Sequence, residues 1–246
     1  MKSATIRSYT RRPALVLVVA ATVFLNGCRV APTVVSVANA DYIDISTLDL
    51  QRVLPPTPAN DSDQTQHELA ELLQIQKDRT AEQCARAAAD APVFVEQFSA
   101  ALGLTSADLK NMSKLQQLSG RLRILGAAIV DAARKAYARP RPFRFDARVQ
   151  PCIERPSSDT YPSGHSTWAY MTALVLADML PEKRGALMVR AAEFVRSRVV
   201  GGVHYSSDVD AGRLAGTVIA AMLFASPKFA VDEAAARTEL RAALSR

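Results

Sequence analysis

Three histidines occur in this chain, and two of them, His165 and His204, sit beside glycines and hydroxyl-bearing residues instead of on apolar faces. His204 lies in Ser197-Arg198-Val199-Val200-Gly201-Gly202-Val203-His204-Tyr205-Ser206-Ser207-Asp208, which places one Arg, one His and one Asp around a Gly-Gly break. A carboxylate near an imidazole fixes which ring nitrogen carries the proton and leaves the other as a lone-pair nucleophile. Asp208 and His204 therefore read as an orienter and its nucleophile. Ser207 with Asp210 reads as the cap pair of the following helix, which leaves Asp208 free for this work. His165 lies in Tyr161-Pro162-Ser163-Gly164-His165-Ser166, directly before an apolar run. Ser163 is a natural N-cap there, Gly164 admits close backbone approach, and the N–H groups of a first helical turn make an anion site. A histidine so placed can give a proton to a leaving oxygen, although an ordinary capped helix with a surface His has the same sequence.

A third run, from Arg134-Lys135 to Arg139-Pro140-Arg141-Pro142-Phe143, carries four cations. Cations at a helix C-terminus are what its dipole favours, so a solvated helix end is one reading. Two Arg-Pro pairs also hold the exit chain stiff, and a stiff Arg fork suits bidentate binding of phosphate oxygens.

Together, Arg141-Pro142, Pro162-Ser163-Gly164-His165, and Ser197-Arg198 with five residues to His204 and three more to Asp208 resemble K-x6-R-P, P-S-G-H, S-R-x5-H-x3-D. That is the signature of the type 2 phosphatidic acid phosphatase superfamily, which includes vanadium haloperoxidases. Within it the chain is most similar to the secreted class A bacterial non-specific acid phosphatases. The similarity covers roughly residues 50 to 240 and includes Leu54-Pro55-Pro56, Gly202-Val203-His204-Tyr205 and Ser207-Asp208-Val209-Asp210.

The resemblance implies an acid phosphatase that needs no metal or other cofactor and hydrolyses small monoesters such as nucleotides, sugar phosphates or aryl phosphates. It implies that His204 attacks phosphorus to form a phosphohistidine, that Asp208 orients it, and that His165 protonates the departing alcohol and later activates water. Arg141, Arg198, Ser163 and the Gly164 N–H would hold the equatorial oxygens. The family's Lys falls on Arg134, whereas the lysine here is Lys135, one place on. Since a helix turns by about 100° per residue, Arg134 is expected to take the role.

Three other functions are weighed against this one. A bound vanadate in the same pocket would make a haloperoxidase. A lipid-phosphate or pyrophosphate phosphatase is usually multi-spanning, and no predominantly apolar run of spanning length follows residue 28. A non-catalytic envelope lipoprotein does not account for the complete set of Arg, Ser, His and Asp.

The elements that must position these loops read as all-α. Hydrophobic residues make up 49% of the 246, with Ala, Leu and Val at helical spacing and little strand-like alternation. Helices are predicted at 61–90, 93–102, 107–118, 120–138, 165–180, 182–200, 209–225 and 228–244, with a loop at 143–161. They make a single-domain bundle of seven or eight helices, with the site built from three inter-helix loops.

Residues 1–28 combine a basic start, an apolar run at 13–25 and Leu25-Asn26-Gly27-Cys28, which resembles a lipobox in which Cys28 is lipidated. The expected location is the periplasm or cell envelope, anchored by lipid to the outer membrane, or secreted if Cys28 is not lipidated. Residues 29–60 are a tether and Pro-rich arm, and 61–246 the catalytic domain. Without Lys2, Arg7, Arg11 and Arg12 the formal charge of +6 falls to +2, which with no basic-aromatic run argues against a nucleic-acid polymer as partner. Homo-oligomerisation is left open. In an oxidising compartment Cys84 and Cys152 are an even pair that either bridges or stays as two buried thiols; a bridge would contribute about 4 kcal/mol.

Overall fold

The computed structural model describes residues 42–245. The expected signal segment, Cys28 and the tether up to residue 41 lie outside the described residues.

The apolar periodicity does build helices, with breaks where capping chemistry intervenes. Helix α1 (Asp63–Asp78) starts at Ser62, whose hydroxyl accepts the Thr65 N–H at 3.3 Å. One helix was expected to continue to residue 90. Instead Arg79 and Thr80 are extended and α2 (Ala81–Ala89) begins anew, because Thr80 and Gln83 cap each other reciprocally at 2.8 and 3.1 Å. A 3-10 turn, Val95–Phe98, runs into the single turn α3 (Ser99–Leu102), and Thr105 with Asp108 caps α4 (Ser106–Lys110).

Helix α5 (Ser113–Tyr137) passes straight through Gly120, where a boundary was expected. Its buried stripe of Leu115, Leu118, Leu122, Leu125 and Ile129 carries the helix across the glycine, and the break falls earlier, at Asn111 and Met112. The predicted loop at 143–161 includes most of a short helical turn, α6 (Pro142–Phe145). The chain finishes with α7 (Gly164–Met179), α8 (Arg184–Val200), α9 (Ser206–Phe224) and α10 (Pro227–Leu244). The described residues contain no strand, and seven of the ten helices have nine residues or more. The all-α class therefore holds.

Helix α7 is buried almost all round and lies against α5, α8 and α9. Two glycines let α9 approach its backbone. A Cβ on Gly216 would sit 2.4 Å from the Thr167 carbonyl oxygen, and one on Gly212 would sit 2.5 Å from that of Ser163. This close approach brings the start of α9 against the loop that precedes α7, and the Ser163 N–H donates to the Asp208 carbonyl at 2.9 Å. The N-terminal arm is part of the same packing, since Tyr42, Ile43, Leu50 and Leu54 are buried in the core. Pro55 is fastened over the site loop by the Tyr161 hydroxyl at 2.7 Å. Cys84 and Cys152 are joined in a disulfide that ties α2 to the loop after α6. Among the described residues no single helix is long and apolar enough to cross a membrane.

The backbone atoms facing Gly216 cannot yield, whereas no atom lies within 4 Å of a Cβ on Gly120. Gly216→Ala should destabilise the protein by about 1–3 kcal/mol, and Gly120→Ala should stabilise it by about 0.5–1 kcal/mol. Urea unfolding midpoints would check both, and equal midpoints for the two variants would contradict the α7–α9 packing described.

Candidate active site

The three runs converge on one cavity of about 400 Å³. Arg134 comes from the last turn of α5, Arg141 from the stiff exit before α6, Gly164 and His165 from the first turn of α7, Arg198 from the last turn of α8, and His204 from the loop before α9. Helix α5 ends at its C-cap Ala138, which takes a left-handed φ of +47°, Pro142 opens α6, and Gly202 takes φ of +78°, a left-handed conformation that turns the chain back from α8 so that His204 faces the cavity.

His204 is buried and bonded on both ring nitrogens. Nε2 lies 2.9 Å from Arg141 Nη1 and 3.3 Å from Ser163 Oγ. Nδ1 lies 3.0 Å from Thr160 Oγ1 and 3.3 Å from Asp208 Oδ2. A guanidinium donates and never accepts, so its contact requires a lone pair on Nε2.

Asp208 has no exposed surface, and its carboxylate accepts from Arg139 at 2.7 Å, Thr160 at 2.6 Å and the Tyr205 N–H at 2.8 Å. This corrects the expected cap: Tyr205 occupies the N-cap position of α9, and Asp208 satisfies its N–H while also serving the histidine. Ser207 binds elsewhere, its N–H donating to Glu68 Oε1 at 2.8 Å and its hydroxyl oxygen accepting from Arg139 at 2.8 Å.

Comparison with known proteins agrees with this geometry. Residues 122–232 match the PAP2 superfamily model. The non-specific acid phosphatase of Salmonella typhimurium is 33% identical over 202 residues, 79% of this chain and 81% of its relative. The chain belongs to the PAP2 superfamily. A non-specific acid phosphatase of Providencia stuartii is 32% identical, over 74% of this chain and 77% of its own. Two solved structures share the fold at 20% identity. One is a transmembrane PAP2-type phosphatidylglycerolphosphate phosphatase from Bacillus subtilis (TM-score 0.51, covering 67% of this chain and 87% of that one). The other is a bacterial vanadium-dependent iodoperoxidase (0.53, covering 71% and 52%). With its phosphatase relatives, the chain is an enzyme of the phosphatase class.

In this PAP2 enzyme Arg141 and Arg198 are held by neutral groups, whereas Arg134 pairs with Asp131 at 3.5 Å. Arg141 Nε and Nη2 donate to the Ser158 carbonyl at 2.8 Å and hydroxyl at 3.1 Å, and Nη1 also reaches the Val203 carbonyl at 2.9 Å. Arg198 donates to the Ala87 carbonyl, and its buried Nε has no partner. Burial pushes both guanidiniums down to about 10, so they remain charged at neutral pH.

Burial and the nearby cations tune the histidines. Burial, then Arg141 and Arg134, hold His204 well below the usual histidine range, so it is a neutral base. Burial and Arg198 push His165 down to about 4; its Nε2 faces the Ala91 carbonyl at 2.9 Å, so the neutral ring donates there. Burial raises the Asp208 carboxyl, while Arg139, Thr160 and the Tyr205 N–H pull it back. Because every group around its oxygens is a donor, the geometry is that of a carboxylate.

Away from the cations, Pro92, Val93, Phe94, Ile153 and Trp168 give the cavity an apolar wall. Three residues of the network have no place in the sequence signature. Arg139 pairs with Asp208 and with Glu68 at 2.8 Å and stacks over the Tyr205 ring, so it is a buried strut and not a solvated cation. Glu68 lies on the buried face of α1 beside Leu69 and Leu72; a charge in register with that apolar stripe was the available signal. Thr160 directly precedes the Tyr161-Pro162 pair and showed none.

Arg134 lines the cavity and donates to the Pro162 carbonyl at 3.3 Å, whereas Lys135 is exposed and away from it. Loss of a charge-assisted contact to phosphate should lower kcat/KM of Arg134→Ala about ten- to a hundredfold, with Lys135→Ala within about twofold of the parent. Steady-state kinetics with an aryl phosphate would decide it, and the opposite ranking would move the role to Lys135.

Proposed function

We propose that this chain is an exported acid phosphatase that hydrolyses small organic phosphate monoesters through a phosphohistidine on His204, without a metal. The observation that carries the reading is the lone pair of His204 Nε2, placed among Arg141, Ser163 and the cation-lined cavity. Resident guanidiniums and the first turn of α7 supply the positive charge that phosphoryl transfer requires. The curated relatives at about a third identity are named for the same reaction class.

The phosphoryl group of the substrate would take hydrogen bonds from Arg198 Nε, Arg134, the Ser163 hydroxyl and the Gly164 N–H. Its oxygens would also draw Arg141 Nη1 away from His204 Nε2, freeing the nucleophile. Nε2 then attacks phosphorus, the P–N bond forms as the ester P–O bond breaks, and the leaving oxygen takes a proton from His165. Since Nε2 of His165 is committed to the Ala91 carbonyl, Nδ1 is the nitrogen that carries the mobile proton. In the second half, neutral His165 accepts a proton from water as the water oxygen attacks phosphorus, and the P–N bond breaks to release inorganic phosphate. Asp208 stays ionised throughout and stabilises the imidazole.

The pH dependence follows from His165. In the ligand-free enzyme its protonated form is lost as pH rises through about 4. A bound phosphate anion opposes the nearby cations and raises that value, so the alkaline limb of kcat should lie at higher pH than the limb of kcat/KM. The apolar wall suits an aromatic leaving group, and p-nitrophenyl phosphate is the natural probe. Turnover should persist in chelator, show this displacement of limbs, and fall by at least about a thousandfold in His204→Ala. Full activity in that variant would refute the mechanism.

Export rests on the lipobox-like segment before Cys28 and is supported by the Cys84–Cys152 bridge, which suits an oxidising compartment. Cys28→Ser should leave the membrane fraction; retention there would rule out the lipid anchor.

A further inference from the structure

Thr160 is fully buried at 0% exposure, and its hydroxyl stands between the carboxylate and the imidazole. The oxygen is 2.6 Å from Asp208 Oδ2 and 3.0 Å from His204 Nδ1. A threonine hydroxyl has one proton to give and two lone pairs to receive. A carboxylate can only accept, so the proton goes to Oδ2, and Oγ1 faces the ring with a lone pair. Nδ1 must then carry a proton. On the opposite side of the ring, Arg141 Nη1 at 2.9 Å demands a lone pair on Nε2. Two independent neighbours therefore require the same tautomer.

The direct contact is the weaker of the two routes. Asp208 Oδ2 lies 3.3 Å from Nδ1 and already accepts from Thr160 and from the Tyr205 N–H at 2.8 Å. The other carboxylate oxygen is taken by Arg139 at 2.7 Å. Asp208 is thus fixed by its neighbours, and on its Nδ1 side the ring is held chiefly by the threonine.

We propose that Thr160 is the positioning residue through which Asp208 holds His204 in the tautomer that leaves Nε2 unprotonated and aimed into the cavity. Its consequence for turnover rests on His204 being the nucleophile; the tautomer assignment does not. Thr160→Val keeps the side-chain shape and removes the hydroxyl, leaving Nδ1 with the longer contact to Asp208 alone. Thr160→Ser keeps the hydroxyl and loses the methyl.

The experiment is nitrogen NMR of the ligand-free protein labelled at its three histidines, with His204→Gln to assign the signals, together with kcat and KM for p-nitrophenyl phosphate. The parent and Thr160→Ser should show Nδ1 protonated and Nε2 unprotonated at His204. Thr160→Val should show a shifted Nδ1 signal, because its proton is left with the 3.3 Å contact to Asp208 alone, with kcat lower by about ten- to a hundredfold and KM changed by less than about threefold. Equal thermal midpoints of the Ser and Val variants would separate positioning from folding. The proposal is overturned if the Val variant keeps the parent's nitrogen signals, or if the Ser variant is as impaired as Val. Full activity in His204→Ala would instead remove the nucleophile reading, with the spectra still deciding the role of Thr160.

Discussion

A carboxylate without access to water is the constraint on which the site depends. Burying Asp208 replaces its hydration with three protein donors, and each donor comes from a different part of the chain. Left unpaired, such a group would cost several kcal/mol or take up a proton. The pairing with Arg139 prevents both, and Arg139 is itself braced by Glu68 from α1 and by the Tyr205 ring. One buried charge thus ties α1, the exit of α5, the loop before α7 and the start of α9 into a single unit. The glycines of α9 belong to the same constraint, since any side chain at Gly212 would push the Ser163 loop away from Asp208.

The arginines divide into two groups by their partners. Arg139 is neutralised by two carboxylates and serves the architecture. Arg141 and Arg198 bond to carbonyls, a hydroxyl and a neutral ring, which hold them in place without cancelling their charge. Burial, reinforced by the field of the cavity arginines, keeps both site histidines neutral in the absence of ligand, and it is into that field that a phosphate dianion would enter. The paired, structural cation and the cavity-facing one are therefore different residues, although Arg139 and Arg141 are separated by one proline.

This division explains what could be read from the chain alone. The convergence of Arg141, Ser163, Gly164, His165, Arg198, His204 and Asp208 was legible because a cap, a stiff fork and a carboxylate one helical turn from an imidazole stand at the spacing of the PAP2 signature. Arg139 looked like one more cation at a helix end, since its two acidic partners lie some seventy residues away on either side. Glu68 is a charge in register with the apolar stripe of an amphipathic helix, and Thr160 lies in a loop that carries no periodic pattern. The fold shows the same pattern. Long Leu and Ala stripes gave the helices, but periodicity ran through the Thr80–Gln83 capping box and gave Gly120 more weight as a breaker than its surroundings justify. At the start of α9 a plausible local cap, Ser207 with Asp210, lost to Tyr205 and Asp208 because tertiary partners claimed Ser207.

The central claim is that His204 Nε2 becomes the phosphoryl carrier. Its most direct test is an alkaline quench during steady turnover of p-nitrophenyl phosphate, which preserves the acid-labile P–N bond, followed by digestion and mass spectrometric mapping of the phosphoryl group. The account predicts one phosphoryl group on the peptide containing His204, joined through Nε2. A phosphoryl group on His165, or on any serine or aspartate of the cavity with His204 unmodified, would contradict it.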